Sequence, residues 1–142
     1  MINNQELLSS MVRTTRMGQT GLRAVLGCSM KPQLKAVLKD QLRVYDSLED
    51  QAKALAAERG WKLQKKHSTL EHMIEHMTRL KVGKQEHSGK IAGMVLQGNT
   101  QGMISSIKDM HRYGGKDIQV SALNEKLICH EVENIRQMKP FL

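Results

Sequence analysis

The stretch from Lys31 to Trp61, KPQLKAVLKDQLRVYDSLEDQAKALAAERGW, constrains this chain more than any other. Leu34, Leu38, Leu42, Tyr45, Leu48, Ala52 and Leu55 recur at intervals of three and four. That spacing draws one narrow apolar stripe along a helix. Ser29 is placed to cap its start, and Pro32 suits the first helical turn, where a missing N–H costs nothing. Gly60 suits a left-handed stop. At about 1.5 Å per residue this is a rod of roughly 40 Å, whose stripe needs partners of similar length. The expectation is an all-α helical bundle.

The rest of the chain agrees with that reading. Aromatic residues make up 3% of the 142 residues, while Met (10), Leu, Ala and Lys/Arg are plentiful. Strand formers are the residues in short supply. Residues 4–27 repeat the three–four spacing with Leu8, Met11, Thr15, Gly18, Leu22 and Val25, and GCSMKP then turns the chain into an antiparallel hairpin. Gly18 and Gly21 each weaken a helix by roughly 1 kcal/mol relative to Ala, which makes sense if another helix approaches closely there.

After Gly60, the polar link WKLQKKH leads to a capping box, Ser68 with Glu71, and a short amphipathic helix carrying Leu70, Met73, Ile74, Met77 and Leu80. Residues 90–113 resume as a helix with apolar groups on two sides: Ile91, Met94 and Val95, then Leu96, Met103, Ile107 and Met110. Gly98, Gly102 and Ser106 form a small-residue row that would let a neighbouring backbone come close. Gly114 and Gly115 are expected to end this helix. Asp117 is placed to cap the last one, which runs to Met138 with Leu123, Leu127, Ile128, Ile135 and Met138 inward. The layout is two antiparallel hairpins joined by a long crossover with a short extra helix. Residues 1–142 are expected to form a single domain, since no low-complexity linker divides them.

No apolar run is long enough to cross a bilayer, and MINNQELL lacks a basic-then-apolar signal pattern. The expectation is a cytoplasmic protein with no membrane partner. Cys28 and Cys129 are far apart in sequence and read as thiols rather than a disulfide framework. The formal charge is +8, from 22 basic and 14 acidic residues. Within residues 1–39 the only acid is Glu6, against Arg13, Arg16, Arg23, Lys31, Lys35 and Lys39. Such a balance can attract nucleic acid, although a solvated basic exterior is the plainer reading. Tyr45, Trp61, Tyr113 and Phe141 are too scattered for a base-stacking platform, but non-specific duplex binding needs only charge.

Few motifs carry chemistry. His72-Met73-Ile74-Glu75-His76 has the inverted zinc-protease order, H-x-x-E-H, with two imidazoles on one helical face. That face is opposite Met73, Ile74 and Met77, toward water, and a catalytic zinc needs a third ligand in a sheltered cleft. Solvated histidines are the preferred reading, with surface binding of a transition metal behind it. The methionines read as core filler rather than a soft-metal path. In the last helix His130, Glu131 and Asn134 lie near the inward seam, where polar groups usually satisfy one another or fix register. A metal-ligand role for His130 and Glu131 is the sharper option.

Two hairpins joined by a long crossover, Gly60-Trp61 ending the second helix, and the final pattern HEVENIRQMKPFL together resemble a ferritin-like four-helix bundle. The likeness is to the small bacterial and spore-coat-type members. Functional members hold two metal ions with one Glu from each of two helices and Glu-x-x-His from each of the other two. The chain contains no Glu-x-x-His. The corresponding places read Glu131-x-x-Asn134 and Tyr45-x-x-Leu48, with Gln97 and Asn99 where a carboxylate is wanted. The resemblance therefore implies the fold without the iron chemistry, since two divalent ions need several carboxylates.

The expected function is that of a non-enzymatic structural or protein-interaction bundle without cofactors. It would self-associate, with a dimer favoured, through Gly98, Gly102, Ser106 and the apolar second face of residues 90–113. The alternatives are a basic protein that coats nucleic acid and a metal-binding protein with a degenerate ferritin-like site.

Overall fold

The computed structural model describes residues 1–64 and 86–142. Four long α-helices account for most of them, with no strand among the described residues: α1 (Asn4–Val25), α2 (Pro32–Arg59), α3 (Ser88–Arg112) and α4 (Ile118–Met138). A short 3₁₀ turn, Lys139–Phe141, follows α4. The capping box at Ser68 and Glu71, and the short helix expected after it, lie outside the described residues.

Local chemistry sets the helix ends. The Asn3 side chain accepts from the Glu6 N–H at 2.9 Å and starts α1. Pro32 occupies the first turn of α2, as expected. Ser29 does not cap that helix: Lys31 holds the cap position without a side-chain bond, and the Ser29 carbonyl instead accepts from His87 N–H at 3.1 Å. Gly60 is left-handed at φ 71°, and its N–H and that of Trp61 return to the Ala57 and Ala56 carbonyls. This pair of bonds is the Schellman stop. Asp117 starts α4 by accepting from the N–H groups of Gln119 and Val120.

The end of α3 differs from expectation. Tyr113, in an extended conformation, ends the helix, and neither Gly114 nor Gly115 is left-handed. These glycines make room for the N-terminus. Ile2 N–H donates to the Arg112 carbonyl at 2.8 Å, and Gly114 N–H donates back to Ile2 at 3.0 Å. A β-carbon at position 114 would collide with Met1, and one at position 115 with Asn4 and Tyr113.

α1 packs on α2, and α3 on α4; α1 also meets α3, and α2 meets α4. One end of the bundle gathers Ile2 with Tyr113, and Arg59 with Asp117 at 3.0 Å. The opposite end joins the starts of α2 and α3, where Lys31 N–H donates to Ser88 Oγ at 2.8 Å. α2 and α3 thus start at the same end. The core between the helices holds Leu7, Leu8, Met11, Leu34, Leu38, Ile91, Val120, Leu127 and Met138, all essentially without exposure. Each such Leu or Met stabilises the fold by about 1.5–3 kcal/mol through burial, and Leu38→Ala would cost about 2–5 kcal/mol with its cavity. No helix of the described residues is long and apolar enough to cross a membrane.

Candidate functional site

Halfway along the bundle the apolar packing gives way to a buried polar cluster. Tyr45 from α2, Asn99 from α3, and Glu131 and Asn134 from α4 are each at most 3% exposed. Tyr45 falls on the leucine stripe of α2, so its ring points inward and its hydroxyl needs a partner. Tyr45 Oη lies 2.8 Å from both carboxyl oxygens of Glu131 and 3.0 Å from Asn99 Oδ1. Asn134 Nδ2 donates to Asn99 Oδ1 at 3.4 Å and lies 3.0 Å from His130 Nε2. His130 is half-buried and meets the Tyr45 ring edge-on, with centroids 4.5 Å apart.

Two glycines let the cluster close. A β-carbon on Gly18 of α1 would stand 2.6 Å from the Tyr45 ring, and one on Gly102 of α3 would stand 2.7 Å from Glu131 Oε1. The close approach expected at Gly18 is therefore made by an aromatic ring rather than by backbone.

Burial dominates the electrostatics. It pushes the Glu131 carboxyl up to about 8, an effect only partly offset by the Tyr45 hydroxyl. Burial, together with the nearby Glu131, raises the Tyr45 phenol well above its ordinary value. Burial also lowers His130 to about 4, against the opposing influence of the Gln41 backbone.

The cluster does not fit a metal pair. Glu131 is the only buried carboxylate among the described residues, and both of its oxygens are engaged by one phenol. His130 and Glu131 are consecutive on α4, so they do not face one another; one meets Asn134 and the other Tyr45. No group of three or more His, Cys, Asp or Glu side chains is placed to hold a metal among the described residues. His72, Glu75 and His76, and with them the H-x-x-E-H motif, lie outside the described residues.

The small-residue row is split by the turn of α3. Gly98 is exposed, Gly102 packs against Glu131, and Ser106 is buried where its carbonyl accepts from Asn124 Nδ2 at 3.1 Å. Two of its three members thus face α4 of the same chain. Cys28 is buried and Cys129 exposed, with no disulfide between them.

A separate polar cleft of about 350 Å³ opens between α1 and α3 beside Glu6, Arg13, Asp109 and Arg112. Its charges are internally balanced: Ser10 donates to Asp109, and Arg13 donates to Ser10 at 3.3 Å. Nothing in that lining selects a ligand.

No protein-family model, curated protein or solved structure matches this chain.

Proposed function

We propose that the chain is a cytoplasmic, non-enzymatic bundle of ferritin-like type that acts as a structural or interaction protein and carries no di-iron site. The observation that carries this reading is Glu131, the single buried carboxylate among the described residues, closed by the Tyr45 hydroxyl. Two divalent ions would leave most of their charge uncompensated there. That α2 ends and α3 starts at opposite ends of the bundle supports ferritin-like topology. So does the meeting of Tyr45, Asn99, Glu131 and Asn134, at the positions where that resemblance places ligands.

Self-association belongs to the same proposal. Ile104 on α3, 45% exposed, is flanked by half-buried Met103 and Ile107, and this apolar strip is the surface offered. Sedimentation at micromolar concentration should show a dimer that Ile104→Glu weakens. A monomer at all concentrations overturns self-association, and stoichiometric iron or manganese in the purified protein overturns the metal-free reading.

A second reading rests on charge. Lys31, Lys90 and Lys139 are all exposed at the end where α2 and α3 start. Non-specific binding of duplex DNA there would be strong at low salt and fall steeply by moderate salt. Salt-independent failure to bind removes it.

A further inference from the structure

The hydrogens available in the buried cluster fall short of the oxygens that contact one another there. Tyr45 Oη carries one hydrogen, yet three oxygens surround it: both from Glu131 and one from Asn99. If Glu131 is ionised, its oxygens compete with Asn99 for that one hydrogen, and a donation to either side leaves the other facing the phenol oxygen at 2.8–3.0 Å with nothing between them. If Glu131 carries a proton, two of the three contacts hold a hydrogen instead of one. Glu131 donates to Tyr45 Oη, and Tyr45 donates to Asn99 Oδ1. Asn134 Nδ2 spends one hydrogen on Asn99 and the other on His130 Nε2. His130 then accepts at Nε2 and is neutral, with its proton on Nδ1.

We propose that Glu131 is a proton-binding site. A proton on its buried carboxyl completes a one-way hydrogen-bond chain from α4 through Tyr45 of α2 to Asn99 of α3. Loss of that proton to water breaks the link to Asn99 and loosens the bundle at its middle.

The surroundings favour the neutral form. α1 offers Gly18 behind the Tyr45 ring, α2 offers Tyr45 and the Gln41 backbone, and α3 offers Asn99 and Gly102. From α4 come Asn134 and His130. Tyr45 and His130 are the titratable members of that set, and no cationic side chain among the described residues stabilises an ionised Glu131. An ionised Glu131 would be a buried charge without a cationic partner among those residues, pressed against Gly102 of α3.

This inference shares one premise with the proposed function: side chains, not metal ions, fill the centre. Metal analysis tests that premise separately, so the proton is tested on protein dialysed against a chelator. With the glutamate carboxyl carbons labelled for NMR, one carboxyl should titrate near pH 8, apart from all the others. In urea, the unfolding constant should rise by close to tenfold per pH unit between about 6.5 and 8. Glu131→Gln should remove both signals, because its amide donates to Tyr45 at any pH. Glutamates that all titrate in the ordinary carboxyl range overturn the proposal, as does a slope that survives Glu131→Gln. Should that variant not fold, the labelled wild-type carboxyl decides the matter alone.

Discussion

The ring of Tyr45 occupies the space that a β-carbon on Gly18 would need, at a separation of 2.6 Å. The ring has nowhere to retreat. Its hydroxyl is held by Glu131 and Asn99, and its edge packs on His130. Gly18→Ala should therefore destabilise the protein even though alanine is the better helix former. Propensity would return about 1 kcal/mol, whereas forcing a methyl into a filled site costs about 1–3 kcal/mol and also strains the hydroxyl's bonds. Urea unfolding should show a net loss; a net gain would mean that the ring is free to move.

Tyr45→Phe keeps the ring against Gly18 and removes only the hydroxyl. Glu131 and Asn99 Oδ1 then lose their shared partner in a buried setting. The expected loss is about 1–3 kcal/mol, the cost of an unsatisfied buried polar group. Helicity by circular dichroism should stay unchanged. A double-mutant cycle with Glu131→Gln should give strong coupling, because both changes act on one chain of hydrogen bonds.

The helices were legible from the spacing of their apolar residues. Leu34, Leu38, Tyr45, Leu48, Ala52 and Leu55 are all buried as the stripe of α2 requires, and Leu42 is half-buried at its margin. The caps at Gly60 and Asp117 were legible too, because each depends on one residue's own chemistry. Contacts between distant segments were not. Ser29 looks like a cap, but its carbonyl is taken by His87, a partner 58 positions away that periodicity does not reveal. Gly114 and Gly115 look like helix stops because glycine usually serves there, yet here they make way for Met1, Asn4 and Tyr113. The polar cluster was half-visible: Glu131 and Asn134 stood out on an inward seam. Tyr45 lay among leucines, and only the ferritin-like resemblance set it at a ligand position beside Glu131 and Asn134, while Gly18 named a close approach without naming what approached.

Gly98 and Gly102 are four residues apart on α3 and should respond oppositely to alanine. A β-carbon on Gly98 meets nothing within 4 Å, the residue is exposed, and its backbone is not left-handed. Gly98→Ala should stabilise the protein by about 0.5–1 kcal/mol through helix propensity and a less free unfolded chain. A β-carbon on Gly102 stands 2.7 Å from Glu131 Oε1, so the carboxyl must swing away from Tyr45. That change should cost about 1–3 kcal/mol. Thermal unfolding of the two variants side by side tests the contrast, and equal shifts would contradict this packing of α3 on α4.

His130 supplies the acid half of the pH dependence, and Glu131→Gln should expose it. The folded protein holds His130 down at about 4, against an ordinary value of 6.5. Between those values the unfolded chain binds the extra proton and the folded one does not, so stability rises with pH. Glu131 is shifted the other way, from 4.5 up to about 8, and its contribution falls as pH rises across that range. In the wild-type protein the two slopes oppose each other between about 4.5 and 6.5, leaving a broad maximum with a decline above it. Removing the Glu131 titration leaves the histidine alone. The Glu131→Gln protein should gain stability from about pH 4.5 to 6.5 and stay level up to 8. Urea midpoints measured at half-unit intervals would show this change of profile. A variant whose midpoint is flat from 4.5 to 6.5 would mean that His130 titrates as freely in the folded bundle as in the unfolded chain.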